Sequence, residues 1–274
     1  MVFYWSKNAI IVVENEREIF RMTRTVLITG ATSGIGEAIA HAFAQNGDKL
    51  VLTGRREERL SAVKADLEKA YQATVWTYPM DVTKIDQVTE VCQQILEEVG
   101  FVDILVNNAG LALGLENFQD YVVEDMLTMF DTNVKGLMLV TRQILPQMVD
   151  RNQGHIINIG STAGIYAYGG AAVYSATKAA VKVLSDGIRI DTVATDIKVT
   201  TVQPGLVETG FSLVRFHGDE ERAAQFYKGI EALQAQDIAD IILYIANQPR
   251  RVQISDITIM ANQQATGFTI HREN

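Results

Sequence analysis

Tyr174 and Lys178 form a pair of side chains that could transfer a proton. Residues four apart in a helix lie on one face, one turn from each other. A phenol loses its proton at about pH 10 and is a poor base at neutral pH. A nearby ammonium group favours the phenolate, so we expect Lys178 to lower the pKa of Tyr174. The spacing predicts a general acid/base for alcohol and carbonyl chemistry, with an ordinary helix surface as the alternative.

Two further polar residues occupy positions that need an explanation. Ser161 follows the strand-like run His155–Ile159, and its neighbours do not form the Gly-x-Ser-x-Gly turn of a hydrolase nucleophile. We therefore interpret Ser161 as a hydroxyl that hydrogen-bonds a substrate carbonyl. Asn133 falls inside a predicted long helix, where asparagine is unfavourable. Its presence predicts a bound water or a kinked backbone, or else an amide that the backbone satisfies.

A glycine-rich turn precedes these residues in the chain. The β-rich run Thr25–Thr29 and the helical pattern Glu37–Asn46 flank Gly30, Gly34 and Gly36. Glycines let the backbone approach a pyrophosphate, whose charge is attracted by the helix N-terminus. Because the turn lies directly between a strand and a helix, it favours a dinucleotide site over an ordinary connection.

The second predicted strand, Lys49–Thr53, ends at an arginine pair. Proteins that bind NAD place an acidic residue here, to hold the ribose 2′-hydroxyl. This chain has Arg55 and Arg56 instead, and two guanidinium groups can grip a 2′-phosphate. The pair predicts NADP(H). The alternative is that residues 55–59 form a solvated, charged helix start.

Polar residues also follow the next two predicted strands. Asp81 stands where the third strand ends, the edge at which ligands bind in open α/β sheets. It could accept a hydrogen bond from an adenine amino group, or the following helix could be capped by Asp81 or Thr83. The fourth strand, Val102–Val106, is followed by Asn107–Gly110, whose small residues leave room for adenosine and whose amides can tie strands together.

The order of elements predicts the fold class. Strands alternate with helices throughout, which is typical of an α/β fold with a doubly wound parallel sheet between two helical layers. We expect residues 23–274 to form one domain and residues 1–22 to be an N-terminal extension with little order. The polar stretch at about residues 205–230 is interpreted as a substrate lid.

Composition narrows the classes of function. The 274 residues are 47% hydrophobic and 21% charged, as in an ordinary globular protein. The net charge of −9 disfavours nucleic acid or an anionic membrane as a partner. The four histidines and the single cysteine, Cys92, show no metal-ligand spacing, so no metal is expected. One cysteine fits a cytoplasmic location, and no apolar run is long enough to cross a bilayer.

The motifs occur in an order that resembles a known family. They are the glycine turn, Asn107–Gly110, Asn133, Ser161 and the Tyr174/Lys178 pair. Over about residues 23–262 the chain resembles the short-chain dehydrogenases/reductases. The resemblance implies a Rossmann-type sheet of about seven strands and a homotetramer or homodimer. It also implies a catalytic tetrad, which is Asn133, Ser161, Tyr174 and Lys178.

Three segments are similar to one branch of that family, the NADP-dependent 3-hydroxy acid dehydrogenases that oxidise serine and allo-threonine. They are Asn107–Gly114, Ile159–Gly164 and Phe211–Asp219. The chain departs from that branch in its long N-terminus and its shorter link between Val207 and Phe211, which can reshape the substrate pocket. The resemblance implies interconversion of a small polar hydroxy acid (serine, allo-threonine or 3-hydroxypropionate type) and its carbonyl form. The alternatives are a reductase of sulfoacetaldehyde or of a hydrophobic ketone, and a non-catalytic NADP-binding sensor.

Arg215, in the lid segment, is the candidate ligand for a substrate carboxylate or sulfonate, because guanidinium groups bind planar anions bidentately. Its alternative is a surface arginine paired with Asp219 or Glu220, and His217 is expected at the lid surface. The predicted substrate-binding residues are Ser161, Tyr174 and Arg215. The predicted cofactor-binding residues are Gly30, Thr32, Ser33, Gly34, Ile35, Gly36, Arg55, Arg56, Asp81, Val82, Asn108, Ala109, Gly110, Tyr174, Lys178, Pro204, Gly205, Val207 and Thr209.

Overall fold

The computed structural model describes residues 23–273 and, before them, only two short paired strands, Trp5–Ser6 and Ala9–Ile10. The predicted N-terminal extension comprises residues 1–22, and apart from these two strands it lies outside the described residues. Within the described part of the chain, no helix is long and apolar enough to span a membrane.

A parallel sheet of seven strands forms the centre of the fold. The strands are β1 (Thr25–Thr29), β2 (Lys49–Gly54), β3 (Val75–Pro79), β4 (Ile104–Asn107), β5 (Gly154–Ile159), β6 (Ile197–Pro204) and β7 (Asp256–Ile259). Their order across the sheet is β7-β6-β5-β4-β1-β2-β3. The chain changes direction across the sheet between β1 and β4, and ligands of doubly wound sheets bind in the crevice at this point. The predicted fold class is confirmed.

Nine helices connect the strands of the described chain. They are α1 (Gly34–Gln45), α2 (Glu57–Tyr71), α3 (Ile85–Glu98), α4 (Val123–Phe130), α5 (Leu137–Asp150), α6 (Ala172–Asp191), α7 (Phe211–Arg215), α8 (Glu220–Tyr227) and α9 (Ala235–Ala246). Helix α1 begins three residues before the predicted Glu37, because its first turn is built from the glycine motif rather than from amphipathic residues. A π-helical turn, Asp131–Gly136, joins α4 to α5.

The apolar core lies on both faces of the sheet. Alternate residues of a strand point to opposite faces, so Val26 and Ile28 pack on one side with Phe43 of α1. Leu27 packs on the other side with Ile144 of α5. Strands buried on both faces are continuous apolar runs, as the sequence of β1 shows. The core therefore fixes the carboxyl ends of the strands, from which the polar residues project.

The predicted lid is more regular than its polar composition indicated. Helices α7 and α8 lie within residues 205–230, and Val207–Glu208 pairs with Leu233–Gln234 in a small separate sheet. The side chain of Asp219 caps α8 by accepting a hydrogen bond from the Arg222 N–H. The sequence does not reveal these two helices, because such short helices leave little periodicity to read.

Candidate active site

The glycine turn leaves no room for side chains at its centre. Gly30 and Gly34 have φ angles of +66° and +57°, in the region that favours glycine. A Cβ on Gly36 would lie 2.3 Å from the carbonyl oxygen of Gly30. The N-cap residue Ser33 makes no side-chain hydrogen bond to the first-turn amides of α1, which leaves them available to an anion.

Asn107 and Asn108 tie the strand ends together, as the sequence predicted. The Asn108 side-chain amide donates to the carbonyl oxygens of Thr29 (2.9 Å) and Gly30 (3.1 Å). Asn107 donates to Thr141 Oγ1 (2.8 Å) and to the side-chain oxygen of Asn158 (2.9 Å). These bonds hold the glycine turn against β4, and β4 against its neighbours.

The arginine pair lies beside the glycine turn. Arg56 Nη2 donates to Thr32 Oγ1 at 3.2 Å, and Arg55 is exposed at the end of β2. Arg59 belongs to the charged surface instead, because its guanidinium pairs with Glu37 at 3.6 Å. Two exposed cations next to a turn that can hold a pyrophosphate suit an additional phosphate group.

Asp81 does not cap the helix that follows it. One of its carboxylate oxygens accepts hydrogen bonds from both the N–H (2.9 Å) and the hydroxyl (2.8 Å) of Thr83. The N-cap of α3 is Lys84, without a side-chain cap. The capping alternative is therefore wrong for Asp81 and for Thr83, because the loop closes on itself before the helix begins. The adenine contact stays a prediction.

The remaining predicted cofactor residues surround the turn or follow β6. Thr209 faces the glycine turn, since a Cβ on Gly34 would lie 3.4 Å from Thr209 Cβ. Gly205 packs so closely on Gln264 that a Cβ there would lie 2.2 Å from the amide oxygen of Gln264. The others are Ile35 in the first turn of α1, Val82 against Gly136, Ala109 against Gly30, Pro204 at the end of β6, and Val207 in the small sheet.

The structure brings Ser161, Tyr174 and Lys178 together at the end of β5. All three are buried, and Tyr174 and Lys178 lie on α6. Ser161 Oγ accepts the N–H of Ala163 at 3.1 Å, which fixes its side chain at the strand end. Lys178 Nζ donates to the carbonyl oxygen of Ile159 at 2.8 Å and lies 5.9 Å from the centre of the Tyr174 ring.

The pKa of Tyr174 differs from the expectation. Burial raises it to about 12, while the charge of Arg215 and a hydrogen bond with Ser161 act in the opposite direction. The Lys178 ammonium donates to the Ile159 carbonyl, and the expectation that its charge lowers the pKa of Tyr174 stays a prediction. Burial also lowers the pKa of Lys178 itself, to about 8. The charge that lowers the pKa of Tyr174 is that of Arg215, whose Cζ lies 5.1 Å from the ring centre.

Asn133 lies in the π-helical turn, and the backbone satisfies its amide. Its oxygen accepts the Leu111 N–H and its nitrogen donates to the Leu111 carbonyl, both at 2.8 Å. Its nitrogen also donates to Thr177 Oγ1 at 3.0 Å. A Cβ on Gly110 would lie 3.2 Å from the Asn133 oxygen and 3.4 Å from Lys178 Nζ. Two of the three predicted explanations, an irregular backbone and a satisfied amide, therefore apply, and the bound water stays a prediction.

Arg215 is buried beside Tyr174 and has no acidic partner among the described residues. Its side chain is 3% exposed, and its Cζ lies over the rings of Phe211 (5.4 Å) and Phe226 (5.6 Å) as well as Tyr174. Nη2 donates to the hydroxyl of Tyr168 at 3.3 Å, and Nε has no hydrogen-bond partner. The alternative of a surface arginine paired with an acid is wrong, because α7 turns this side chain inwards.

The neighbours of Arg215 divide into predicted and unpredicted residues. His217 is exposed and pairs with Asp125 at 3.0 Å, as expected of a lid surface residue. Tyr168 and Phe226 were not among the predicted site residues. The only signal for Tyr168 was an aromatic residue in the loop between Ser161 and Tyr174, and such a residue has many structural uses.

In the described chain, no cluster of three or more His, Cys, Asp or Glu residues could hold a metal ion.

Residues 24–219 match the family described as short chain dehydrogenase. The chain belongs to this family. It is 47% identical over 249 residues to the NADP-dependent 3-hydroxy acid dehydrogenase YdfG of Salmonella typhi, covering 90% of this chain and 99% of the relative. It is 39% identical to the NADP-dependent 3-hydroxy acid dehydrogenase of Schizosaccharomyces pombe, over 91% of this chain and 97% of the relative.

A solved structure of similar shape is the closed form of a serine dehydrogenase complexed with NADP⁺. It superposes with a TM-score of 0.84 at 44% identity, covering 91% of this chain and 100% of that one. The predicted family, and with it an oxidoreductase acting on CH–OH groups, is confirmed.

Proposed function

We propose that the protein is an NADP(H)-dependent oxidoreductase that interconverts a small hydroxy acid and its carbonyl form. One observation carries the proposal: the buried guanidinium of Arg215 lies beside Tyr174, and no acidic residue of the described chain pairs with it. The names of the relatives, 3-hydroxy acid dehydrogenase and serine dehydrogenase, agree with such a substrate.

The cofactor is NADP(H), as the sequence predicted, and the site fits it. The N-terminus of α1 suits the pyrophosphate, because the turn packs closely through Gly36 and Ser33 leaves the first-turn amides without a side-chain cap. Arg55 and Arg56 would hold the 2′-phosphate. When bound, the nicotinamide ring accepts or supplies the hydride.

The chain's own residues supply orientation and proton transfer. Ser161 and Tyr174 hydrogen-bond the substrate oxygen. During oxidation the Tyr174 phenolate takes the hydroxyl proton, and during reduction the Tyr174 phenol donates it; the charge of Arg215 favours the phenolate form. Lys178 would hold the nicotinamide ribose. Asn133, fixed by the backbone of Leu111, would position a water beside the Lys178 ammonium.

The surroundings of Arg215 specify the charge of the substrate. A guanidinium has five N–H donors, and burial of a charge without a partner is costly. A carboxylate would supply the missing charge and could accept two of these hydrogen bonds in parallel. The three aromatic rings exclude water, which strengthens the attraction. A sulfonate offers similar oxygen acceptors, so isethionate belongs among the test substrates.

The test is the near-ultraviolet absorbance of NADPH, formed from NADP⁺ with serine, allo-threonine, 3-hydroxypropionate and isethionate. We expect turnover with at least one of them and a loss of about 10²–10⁴-fold in Tyr174→Phe. Tyr244→Phe, at an exposed tyrosine of α9, is the matched control. Cofactor binding without turnover of any hydroxy acid or small aldehyde would support the sensor instead.

We further propose that the protein is a homotetramer or homodimer. Large apolar side chains are exposed on two helices, with Leu127 of α4 61% exposed and Val183 and Ile190 of α6 68% and 70% exposed. A second copy could cover them. Light scattering coupled to gel filtration tests this, and a monomer would contradict it. The cytoplasmic location stays a prediction, which cell fractionation can test.

A further inference from the structure

The C-terminal segment, residues 264–273, lies against the lid and the loop before α6. The side-chain oxygen of Gln264 accepts the N–H of Leu206 at 3.0 Å. Arg272 Nη2 donates to the carbonyl oxygen of Phe226 at 2.9 Å, and the Glu273 N–H donates to that of Gly229 at 2.8 Å. The segment therefore joins both ends of the lid.

Phe268, in the middle of this segment, stacks on Tyr168. The ring centres are 4.8 Å apart and the planes differ by 13°. The segment can approach because residue 267 is glycine, where a Cβ would lie 2.8 Å from the carbonyl oxygen of Tyr166. The other end of Tyr168, its hydroxyl, accepts a hydrogen bond from Arg215. Among the described residues, the stack thus fixes the one side-chain group that hydrogen-bonds this guanidinium.

Phe268 also contacts a second neighbour of Arg215. Its ring centre lies 6.3 Å from that of Phe226, and the Phe226 ring centre lies 5.6 Å from Arg215 Cζ. Phe268 makes no hydrogen bond or ring contact with Arg215, so its effect on the guanidinium passes through Tyr168 and Phe226.

We propose that Phe268 is a positioning residue, which holds Tyr168 and Phe226 so that Arg215 is oriented for an anionic substrate. The inference rests on the proposed function, since it assigns to the C-terminal segment control of the same anion site. Aromatic pairs of this geometry contribute modestly beyond their buried area, so loss of the ring should weaken substrate binding by about 3- to 10-fold.

The experiment compares 3-hydroxypropionate with its neutral amide. In Phe268→Ala we expect KM for the acid to rise by about 3- to 10-fold, with kcat, kcat/KM for the amide and the Kd for NADP⁺ unchanged. Phe268→Tyr keeps the stack and should restore the KM of the wild type. Tyr244→Ala removes an exposed aromatic ring from α9 and should change nothing.

The outcomes separate this inference from the proposed function. Equal losses for the acid and the amide would mean a general structural role, and no change for either would mean no role; both overturn the inference. Arg215→Gln serves as the reference. If it leaves KM for the acid unchanged, the proposed anion site itself fails. If it raises that KM and Phe268→Ala does not, only the role of Phe268 is overturned.

Discussion

Replacing Arg215 by methionine should make the protein more stable while it destroys the site for the substrate anion. The guanidinium is 3% exposed, has one hydrogen bond to a side chain and no acidic partner in the described chain. Such a group remains in a fold because of what it binds, since its burial opposes folding. Methionine has a similar length and no charge, and its sulfur packs well against aromatic rings.

The size of the effect follows from these contacts. Exchange of buried ionic groups for apolar ones of similar volume stabilises proteins by up to about 4 kcal/mol. The attraction between Arg215 and its three rings is lost, although methionine recovers part of it. We therefore expect a gain of about 1–2 kcal/mol in the free energy of unfolding. For a chain of this size the gain corresponds to a rise in Tm of roughly 2–4 °C.

The assay is thermal unfolding with and without propionate, an anion that lacks the reactive hydroxyl. The wild type should gain about 2.7 kcal/mol at a propionate concentration of one hundred times Kd, and Arg215→Met should gain nothing. Arg151→Met is the control, because Arg151 is exposed and also lies over a ring, that of Phe101. A variant that is less stable than the wild type without propionate would refute the reasoning, because the guanidinium would then be satisfied within the protein.

Three further predictions concern the cofactor and pH. Gly36→Ala places a Cβ 2.3 Å from the Gly30 carbonyl oxygen and should raise the Kd for NADPH, measured by fluorescence titration, by at least about tenfold. Gly187→Ala, which adds a Cβ in open space on α6, should leave this Kd unchanged. Arg55→Ser should raise KM for NADP⁺ by about 10- to 100-fold and leave KM for NAD⁺ unchanged; an equal rise for both would contradict the phosphate role. Burial lowers the pKa of Lys178 from 10.5 to about 8 in the folded protein. Between pH 8 and pH 10.5 the unfolded protein therefore binds more protons at this lysine than the folded protein does. The contribution of Lys178 to the free energy of unfolding should rise by up to about 3 kcal/mol over that pH range. Lys178→Met should remove this rise from denaturant unfolding curves, and an identical pH dependence in both proteins would contradict the burial of the ammonium.

The sheet and the residues at its strand ends could be predicted from the sequence because they depend on local patterns. A parallel strand buried on both faces is a continuous apolar run, so the positions of β1 and β4 follow from composition. Ser161 and Asn107 directly follow such runs, and the sheet then places them at one edge. The glycine turn is readable for the same reason, since strand, turn and helix are adjacent in the chain.

The parts that could not be predicted depend on contacts between distant residues. The raised pKa of Tyr174 results from burial, and Phe211 of α7 is one of the distant residues that pack on its ring; the Tyr/Lys spacing contains no information about this burial. The stack of Tyr168 on Phe268 joins segments that are far apart in sequence. Helices α7 and α8 are short, and their position follows from the aromatic cluster around Phe226 rather than from helix propensity.

The central claim is that the buried guanidinium of Arg215 selects an anionic hydroxy acid for oxidation by NADP⁺ at Tyr174. The most direct measurement is kcat/KM for 3-hydroxypropionate and for its neutral amide, in the wild type and in Arg215→Gln. The wild type should prefer the acid by at least about tenfold, which corresponds to one charge-assisted hydrogen bond, and Arg215→Gln should lose the preference. Equal use of acid and amide by the wild type, or a preference that survives in Arg215→Gln, would contradict the claim.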